Sequence, residues 1–298
     1  MTYDLNKAFL ADAVYSKTLQ QNQTITSSDG SQWTAVQISP QNTTGYQGAL
    51  FKNEATGQYV FASRGTEILS KDTLNDLGAN LQMGLQQIPD QMAVQRAFFK
   101  DVVEKLLEDG IPPDSITLTG HSLGGALIQA LAAENPLNKA DTFNAYGAGN
   151  LILGSEGKVY NNITNHVMHL DGVSVLPGSQ MIGNTVAYGT ANSLDHLLSS
   201  FMENLTGTAL VGASLAAAYA AVAAEGITSH LMSNFLNPEL AASTGTPITV
   251  KPSEFGEQLL QAMDSTNANV VLLFGVDTHL KTSPPKVGIN PILFCMAA

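Results

Sequence analysis

The chain of 298 residues contains very little cysteine and few basic residues, and each scarcity excludes something. Its single cysteine, Cys295, excludes a disulfide within the chain, so the redox compartment stays undetermined. We also expect no disulfide-linked partner. Only 13 Lys and Arg residues stand against 25 Asp and Glu, which makes the formal net charge −12. This excess of acid argues against a nucleic-acid partner and against simple electrostatic capture by anionic membranes.

The first residues also lack the basic segment and apolar core that are typical of a cleavable signal peptide. We therefore expect a soluble protein without such a peptide, with a leaderless export route left open. Hydrophobic residues make up 44% and charged residues 13% of the chain, which indicates a globular protein with a rather apolar surface. The length suffices to bury a large core.

The chain is organised around Gly-His-Ser-Leu-Gly at residues 120–124. A β-branched apolar run precedes it and an apolar helix pattern follows, which predicts a strand, a sharp turn and a helix. Such a turn lifts the Ser122 hydroxyl to the top of the sheet and aims it at a helix N-terminus, where backbone N–H groups can meet a developing oxyanion. The bare pattern is a weak signal, and the alternative is a glycine-rich turn with an idle serine. The flanking strand and helix are the context that favours the nucleophile.

Strand patterns alternate with helix patterns along the chain. Strands are predicted at 33–39, 46–52, 58–63, 116–121, 141–146, 165–170 and 185–189, and helices at 4–20, 71–85 and 90–108. This alternation predicts an α/β fold whose sheet is mostly parallel, with ligands at the carboxyl ends of its strands.

No charged residue occurs between Glu203 and Glu225. The length of this segment would allow a transmembrane helix, but its composition is mostly Ala and Gly, which are weakly apolar. A buried helix hairpin is the plain alternative. We favour a lid with an apolar underside, and we predict a single domain over 1–298 with 197–228 as a lid-like insertion.

A serine nucleophile needs a base, and the base needs an orienting carboxylate. Asp171 directly follows the predicted strand 165–170, where catalytic groups of such sheets lie; the alternative is an aspartate that caps a helix. His196 and His230 both follow Asp171 in near-identical surroundings, and the residues alone do not separate them. His121, beside the nucleophile, is expected to support the turn rather than to transfer protons.

Three motifs in this order resemble the class-3 lipases of the α/β-hydrolase fold. They are Ser63-Arg64-Gly65-Thr66, Gly-His-Ser-Leu-Gly-Gly at 120–125 and Asp171-Gly-Val-Ser-Val-Leu-Pro. Within that family the chain is most similar to bacterial phospholipases A1 and to lipases exported by type I secretion. The resemblance spans about residues 45–240, and it implies a central sheet flanked by helices with an apolar helical lid.

The resemblance also implies site roles. Ser122 would be the nucleophile and Asp171 the orienting acid, while the backbone N–H groups of Leu123 and Thr66 would form the oxyanion hole. The Arg64 side chain would brace the loop that carries Thr66.

The chain departs from the family pattern at one position and leaves the choice of the base open. Ser63 stands where the family often has Phe, and we expect no loss of mechanism from it. As base, His230 suits the spacing in type-I-secreted lipases, whereas His196 would suit some phospholipase A1 relatives. We favour His230 and keep His196 as the alternative.

The stretch Asp72-Thr-Leu-Asn75-Asp76 matches a segment that binds calcium in the type-I-secreted lipases. Carboxylates four residues apart share one helix face, and calcium prefers oxygen ligands, so Asp72 and Asp76 are a candidate calcium site. The alternative is that these acids only favour the start of a helix. The chain lacks the C-terminal calcium-binding repeats of those lipases, which leaves that export route unsupported.

Together these observations predict a serine carboxylester hydrolase that cleaves acyl esters of lipids, namely a phospholipase A1 with triacylglycerol lipase activity. The expected partner is a phospholipid or acylglycerol at a lipid interface, and no organic cofactor is expected. The alternatives are an esterase for soluble short-chain esters and a membrane-interacting module with an inactive hydrolase core.

Overall fold

The computed structural model of the chain describes residues 2–65, 77–155, 157–168, 171–174, 179–189 and 229–247. The predicted lid at 197–228 lies outside these residues. So do Thr66, His196 and both candidate calcium ligands, Asp72 and Asp76. None of the helices within the described ranges combines the length and apolar character needed to cross a bilayer.

Within the described residues, nine strands form one sheet in which the spatial order follows the chain. They are β1 Thr24–Thr26, β2 Gln32–Ile38, β3 Gly48–Asn53, β4 Tyr59–Ser63, β5 Ile116–His121, β6 Ala140–Phe143, β7 Ile163–Met168, β8 Asn184–Tyr188 and β9 Thr246–Pro247. Strands β4 to β8 pair in parallel, and the other neighbours pair antiparallel. Strand β2 therefore shares the direction of β4 to β8, so the sheet is mostly parallel, as predicted.

Helices cover both faces of this sheet. They are α1 Leu5–Ala13, α2 Leu77–Glu108, α3 Leu123–Glu134 and α4 Pro238–Ala242. Phe61 of β4 packs with the core beneath α2 and α3, whereas its neighbours Val60 and Ala62 pack with Leu10 of α1. Because successive strand residues face opposite sides, α1 covers the face opposite to α2 and α3. This layered arrangement is that of the α/β-hydrolase fold, which confirms the predicted fold class.

Helix α2 differs from the prediction of two helices at 71–85 and 90–108. In the described part of the chain it is continuous from Leu77 to Glu108, with Pro89 in its interior. Proline lacks the N–H of one helical hydrogen bond. Ile88 and Met92, on either side of Pro89, are buried in the same core, and we infer that this shared burial outweighs the lost bond. The helical prediction is confirmed over 77–85 and 90–108, the break between them was wrong, and 71–76 lie outside the described residues.

A partly buried polar network links α1 to strands β6 to β8. Lys7 Nζ lies 2.6 Å from one Asp141 carboxylate oxygen, and His166 Nε2 lies 2.8 Å from the other. The second ring nitrogen of His166 is 3.0 Å from the Tyr188 hydroxyl. Burial raises the pKa of Asp141, but the hydrogen bond to His166 and the charge of Lys7 outweigh it and bring the pKa below its ordinary value.

Candidate active site

The candidate site residues and their neighbours follow the carboxyl ends of four adjacent parallel strands, β4 to β7. Gly65 follows β4, Ser122 follows β5, Asn144 follows β6, and Asp171 lies three residues past β7. The register aligns these ends across the sheet, since Ser63 pairs with Gly120, His121 with Phe143 and Phe143 with His166. Ligands of open α/β sheets bind along this edge.

Ser122 occupies the tight turn between β5 and α3. Its backbone is in a left-handed region, with φ 58° and ψ −130°, which L-residues rarely adopt. The turn is held because the Ser122 N–H donates to Phe143 O at 3.2 Å, and its carbonyl accepts from Tyr146 N at 3.2 Å. The side chain is buried, yet its Oγ has no hydrogen-bond partner among the described residues. A buried hydroxyl left unpaired costs about 1–3 kcal/mol, so function is the natural reason to retain it.

Asp171 and His230 form a buried hydrogen-bonded pair at the same edge. His230 Nδ1 lies 2.6 Å from Asp171 Oδ1, and the two side chains are 3% and 1% exposed. A carboxylate only accepts, so Nδ1 carries the proton and Nε2 is left as an acceptor. The other Asp171 oxygen accepts from the Ser174 backbone N–H at 2.8 Å and from the Ser174 hydroxyl. Sequence reasoning missed Ser174, although its place three residues after Asp171 suits a local side-chain cap.

His230 lies directly beside the Ser122 turn. Its ring centroid is 4.6 Å from that of His121, the residue that precedes Ser122, and His121 Nε2 is 2.8 Å from the His230 carbonyl oxygen. Burial, and after it the proximity of His230, lowers the pKa of His121 well below its ordinary value. His121 is therefore neutral and donates from Nε2, which agrees with the supporting role expected for it.

The loop after β4 lies against the start of α3. A Cβ on Gly65 would fall 2.8 Å from Gly124 N and 3.0 Å from Leu123 N, and one on Gly124 would fall 2.3 Å from Ser63 O. Only glycine permits this approach. The Leu123 N–H opens α3 and has no acceptor within the helix, so loop and helix N-terminus together form a place suited to negative charge.

Two side chains hold that loop in place. Arg64, which belongs to the loop, donates from Nη2 to Gly45 O at 3.3 Å. Tyr15, which sequence reasoning missed, accepts from Gly65 N at 3.1 Å and donates to His121 O at 3.2 Å. The Tyr15 hydroxyl therefore links the loop to the Ser122 turn, and no periodicity in the sequence signals it.

Ser63 sits at the end of β4 within a buried polar cluster. Its Oγ is 3.1 Å from the Tyr46 hydroxyl and accepts from Gln95 Nε2 at 2.9 Å. Burial raises the pKa of Tyr46, which therefore keeps its proton. The serine found in place of the family's Phe thus has partners for its hydroxyl.

The structure brings four of the candidate residues to one edge of the sheet: Ser122, Leu123, Asp171 and His230. It says nothing of Thr66, His196, Asp72 or Asp76, which lie outside the described residues. Within the described residues, no group of three or more His, Cys, Asp or Glu side chains is placed to hold a metal ion.

Comparison with known families decides the relationship. A family model for a Tle-like phospholipase domain, described as phospholipase-like, matches residues 6–160, just over half of the chain. The chain belongs to this Tle-like phospholipase family. The matched part of the Tle-like domain contains Ser122 and Leu123, whereas Asp171 and His230 lie beyond it. No curated protein matches the chain significantly.

Solved structures similar to this Tle-like domain include fungal lipases. The Lip2 lipase from Yarrowia lipolytica is 17% identical, with 62% of this chain and 77% of that chain covered and a TM-score of 0.42. A lipase from Rhizomucor miehei, solved with its propeptide, is 15% identical over 63% and 68%, with a TM-score of 0.44. A triacylglycerol lipase from Penicillium expansum is 18% identical over 63% and 82%, with a TM-score of 0.39. These similarities are distant, and no residue role is taken from them.

Proposed function

We propose that this Tle-like phospholipase domain is a serine carboxylester hydrolase that acts on lipids through Ser122, His230 and Asp171. The observation that carries the proposal is the buried His230–Asp171 pair, at 2.6 Å, beside a serine whose hydroxyl is buried and unpaired among the described residues. The family relationship supports ester hydrolysis of the lipase kind. The order Ser, Asp, His along the chain is the order of α/β-hydrolases.

Acylation would begin when Ser122 Oγ attacks the ester carbonyl carbon while His230 Nε2 accepts the hydroxyl proton. The new C–O bond forms as the carbonyl π pair moves to oxygen. Asp171 keeps the imidazole in the Nδ1–H tautomer and stabilises the imidazolium. The oxyanion would be stabilised by the backbone N–H of Leu123 and, as the resemblance implies, by that of Thr66. The alcohol then leaves with the proton from Nε2, and an acyl-enzyme remains.

Deacylation would repeat these steps with water. His230 Nε2 takes a proton from water, whose oxygen attacks the acyl carbonyl of the Ser122 ester. The tetrahedral intermediate uses the same N–H donors. The ester bond to Ser122 breaks, and Oγ recovers the proton from the imidazolium, so the fatty acid is released and the enzyme is restored.

As substrate we propose a phospholipid cleaved at its sn-1 ester, with acylglycerols as further substrates. A phosphatidylcholine with different acyl chains at the two positions distinguishes the products. We expect mainly the sn-1 fatty acid, together with a lysophospholipid that retains the sn-2 chain. The rate should rise as the lipid concentration passes the aggregation limit. Mass spectrometry of the released acids, at early times before acyl migration, measures the preference.

Other outcomes of this experiment would correct the proposal. Release of the sn-2 acid would contradict phospholipase A1 regioselectivity. Cleavage of short soluble esters alone, without a rise above the aggregation limit, would favour the esterase alternative. Failure of a fluorophosphonate probe to label Ser122 would favour the inactive core.

Gly65→Ala is expected to lower kcat by about 10²-fold, because the added methyl must push the loop after β4 away from α3 and displace one oxyanion donor. The methyl would lie 2.9 Å from the Tyr15 hydroxyl and 3.0 Å from Leu123 N. Gly154→Ala is the matched control, since it adds a methyl in open space at φ +72°. It should cost some thermal stability and leave kcat unchanged. Equal kcat for both variants would remove the loop from the mechanism.

The resemblance also leads us to propose that Asp72 and Asp76 share one calcium ion, which would supply positive charge that orders this segment. EDTA should then lower activity on aggregated lipid, and added calcium should restore it. Asp72→Ala should be low in activity and insensitive to EDTA, whereas Asp90→Ala, an exposed acid on α2, should respond as wild type does. If EDTA does not change the activity of the wild-type protein, the calcium proposal fails, and Asp72 and Asp76 would only favour the start of a helix.

A further inference from the structure

The residue proposed as base is not carried by a strand. His230 follows the end of β8 by more than forty residues and precedes β9, which has only two residues. A parallel strand fixes the positions of residues at its end, but Ser229 and His230 belong to none of the strands in the described part of the chain. The His230 side chain is held at Nδ1 by Asp171. The contacts that hold the His230 backbone therefore decide whether Nε2 can accept the proton of Ser122.

Asn144 provides one support for that backbone. It follows β6, is fully buried, and adopts φ +42°, one of three non-glycine residues with positive φ among the described residues. Its side-chain Nδ2 donates to Ser229 O at 2.7 Å, and its Oδ1 accepts from Met168 N at 2.8 Å. A left-handed residue costs roughly 1–2 kcal/mol, so surrounding contacts must sustain it.

The same amide connects residues 229–234, here called the base segment, with the end of β7, which leads to Asp171. Met168, whose N–H is held by Asn144, is the last residue of β7, and its carbonyl accepts from Asp171 N at 3.0 Å. Asn144 thus touches the chain one turn before Asp171 and one residue before His230. Asn234 also donates to Ser229 O, at 3.1 Å, but it belongs to the base segment itself and does not tie that segment to the sheet.

His121 provides the second support, from the end of β5. Its Nε2–H donates to the His230 carbonyl at 2.8 Å, the carbonyl that follows the one held by Asn144. The other ring nitrogen is 3.4 Å from the Tyr15 hydroxyl, and Tyr15 also accepts from Gly65 N. The base segment is therefore held by two consecutive carbonyls, each bonded to a side chain from a different strand end.

We propose that Asn144 and His121 are positioning residues that place His230 for catalysis by holding the Ser229 and His230 carbonyls against the sheet. Two adjacent carbonyls fix the peptide plane at His230 and so its Cα position, which leaves the imidazole only its own torsions to align with Ser122. This inference rests on the proposed function, because it gives His230 the role of base.

Asn144→Gly tests the first support without forcing a misfold, because glycine adopts positive φ at little cost. It removes both side-chain bonds. We expect kcat for a short soluble ester to fall by about 10- to 100-fold, as for a base displaced by about 1 Å, with KM nearly unchanged. The second-order rate of fluorophosphonate labelling of Ser122 should fall in parallel. Asn22→Gly is the matched control, since Asn22 is an exposed residue with φ 65°, and it should leave both rates unchanged.

His121→Ala and His121→Gln test the second support. The alanine variant loses the donor to the His230 carbonyl, whereas glutamine can place an amide N–H near the same point. We expect the loss of kcat in His121→Ala to be largely recovered in His121→Gln, a rescue that a purely space-filling role would not produce. Unfolding midpoints, measured in parallel, confirm that each rate refers to folded protein.

The result that overturns the inference is full kcat in both Asn144→Gly and His121→Ala. If His230→Ala is inactive in the same assay, the proposed function stands and only the positioning role fails. If His230→Ala is active, the base assignment itself fails, whatever the Asn144 variant does.

Discussion

Ser122→Ala is expected to abolish ester hydrolysis while the protein stays folded and becomes no less stable. Removing a serine nucleophile costs on the order of 10⁶ in kcat, because the remaining triad members act only through it. The hydroxyl is buried and has no partner among the described residues. Its removal therefore sacrifices no hydrogen bond in that part of the chain and relieves an unpaired polar atom. The measurements are kcat on mixed phospholipid vesicles and the midpoint of thermal unfolding.

Ser115→Ala is the matched control for this variant. Ser115 lies at the opposite end of β5, immediately before Ile116, and its Oγ donates to Pro112 O at 2.6 Å. We expect wild-type kcat and, if anything, a small loss of stability. Near-wild-type hydrolysis by Ser122→Ala would end the proposed mechanism.

His230→Ala is expected to lose about as much activity as Ser122→Ala, since without its base the serine stays a weak nucleophile. Unlike the serine variant, it should also be less stable. It leaves Asp171 buried without the imidazole that lies 2.6 Å away, and removing one partner of a buried pair is costly. Activity per folded protein and the unfolding midpoint separate the two effects.

His166→Ala offers a control of the same chemistry away from Ser122. The His166 imidazole is buried and lies 2.8 Å from the Asp141 carboxylate. The variant protein should therefore be destabilised in a similar way but keep its activity per folded molecule. His196→Ala should also keep most activity. An inactive His196→Ala beside an active His230→Ala would assign the base to His196 and contradict our assignment.

Much of the fold is readable from the residues because its signals are local. The run before Ser122 and the apolar pattern after it predict β5 and α3, and alternating apolar residues predict β2, β3 and β4 to within two residues. Strands β1 and β9 were not predicted, since three and two residues are too few to show a period. The gap predicted between the helices at 71–85 and 90–108 is absent, and we infer that burial of the neighbours of Pro89 keeps the helix continuous.

The candidate site likewise has residues that local sequence signals predict and residues that they do not. The glycines beside Ser122 and the place of Asp171 after a strand are short-range features, and they predict these two residues. His196 and His230 carry almost the same neighbours, and no local rule distinguishes them. In the structure, His230 Nδ1 lies 2.6 Å from an Asp171 carboxylate oxygen, whereas His196 lies outside the described residues. Asn144, Tyr15 and Ser174 have no motif at all, because their partners are set by which strand ends lie side by side.

By itself, the sequence determined the Ser122 turn, the α/β class and the candidate acid. Each follows from stereochemistry within a few residues: the glycines beside Ser122, where a Cβ would clash, the period of apolar residues, and the change from strand to helix. Only the tertiary structure shows that the His230 imidazole faces Asp171 and which side chains hold it. Those contacts join residues 59 and 109 positions apart, and their energies arise only once the sheet has aligned its strand ends and excluded water from them.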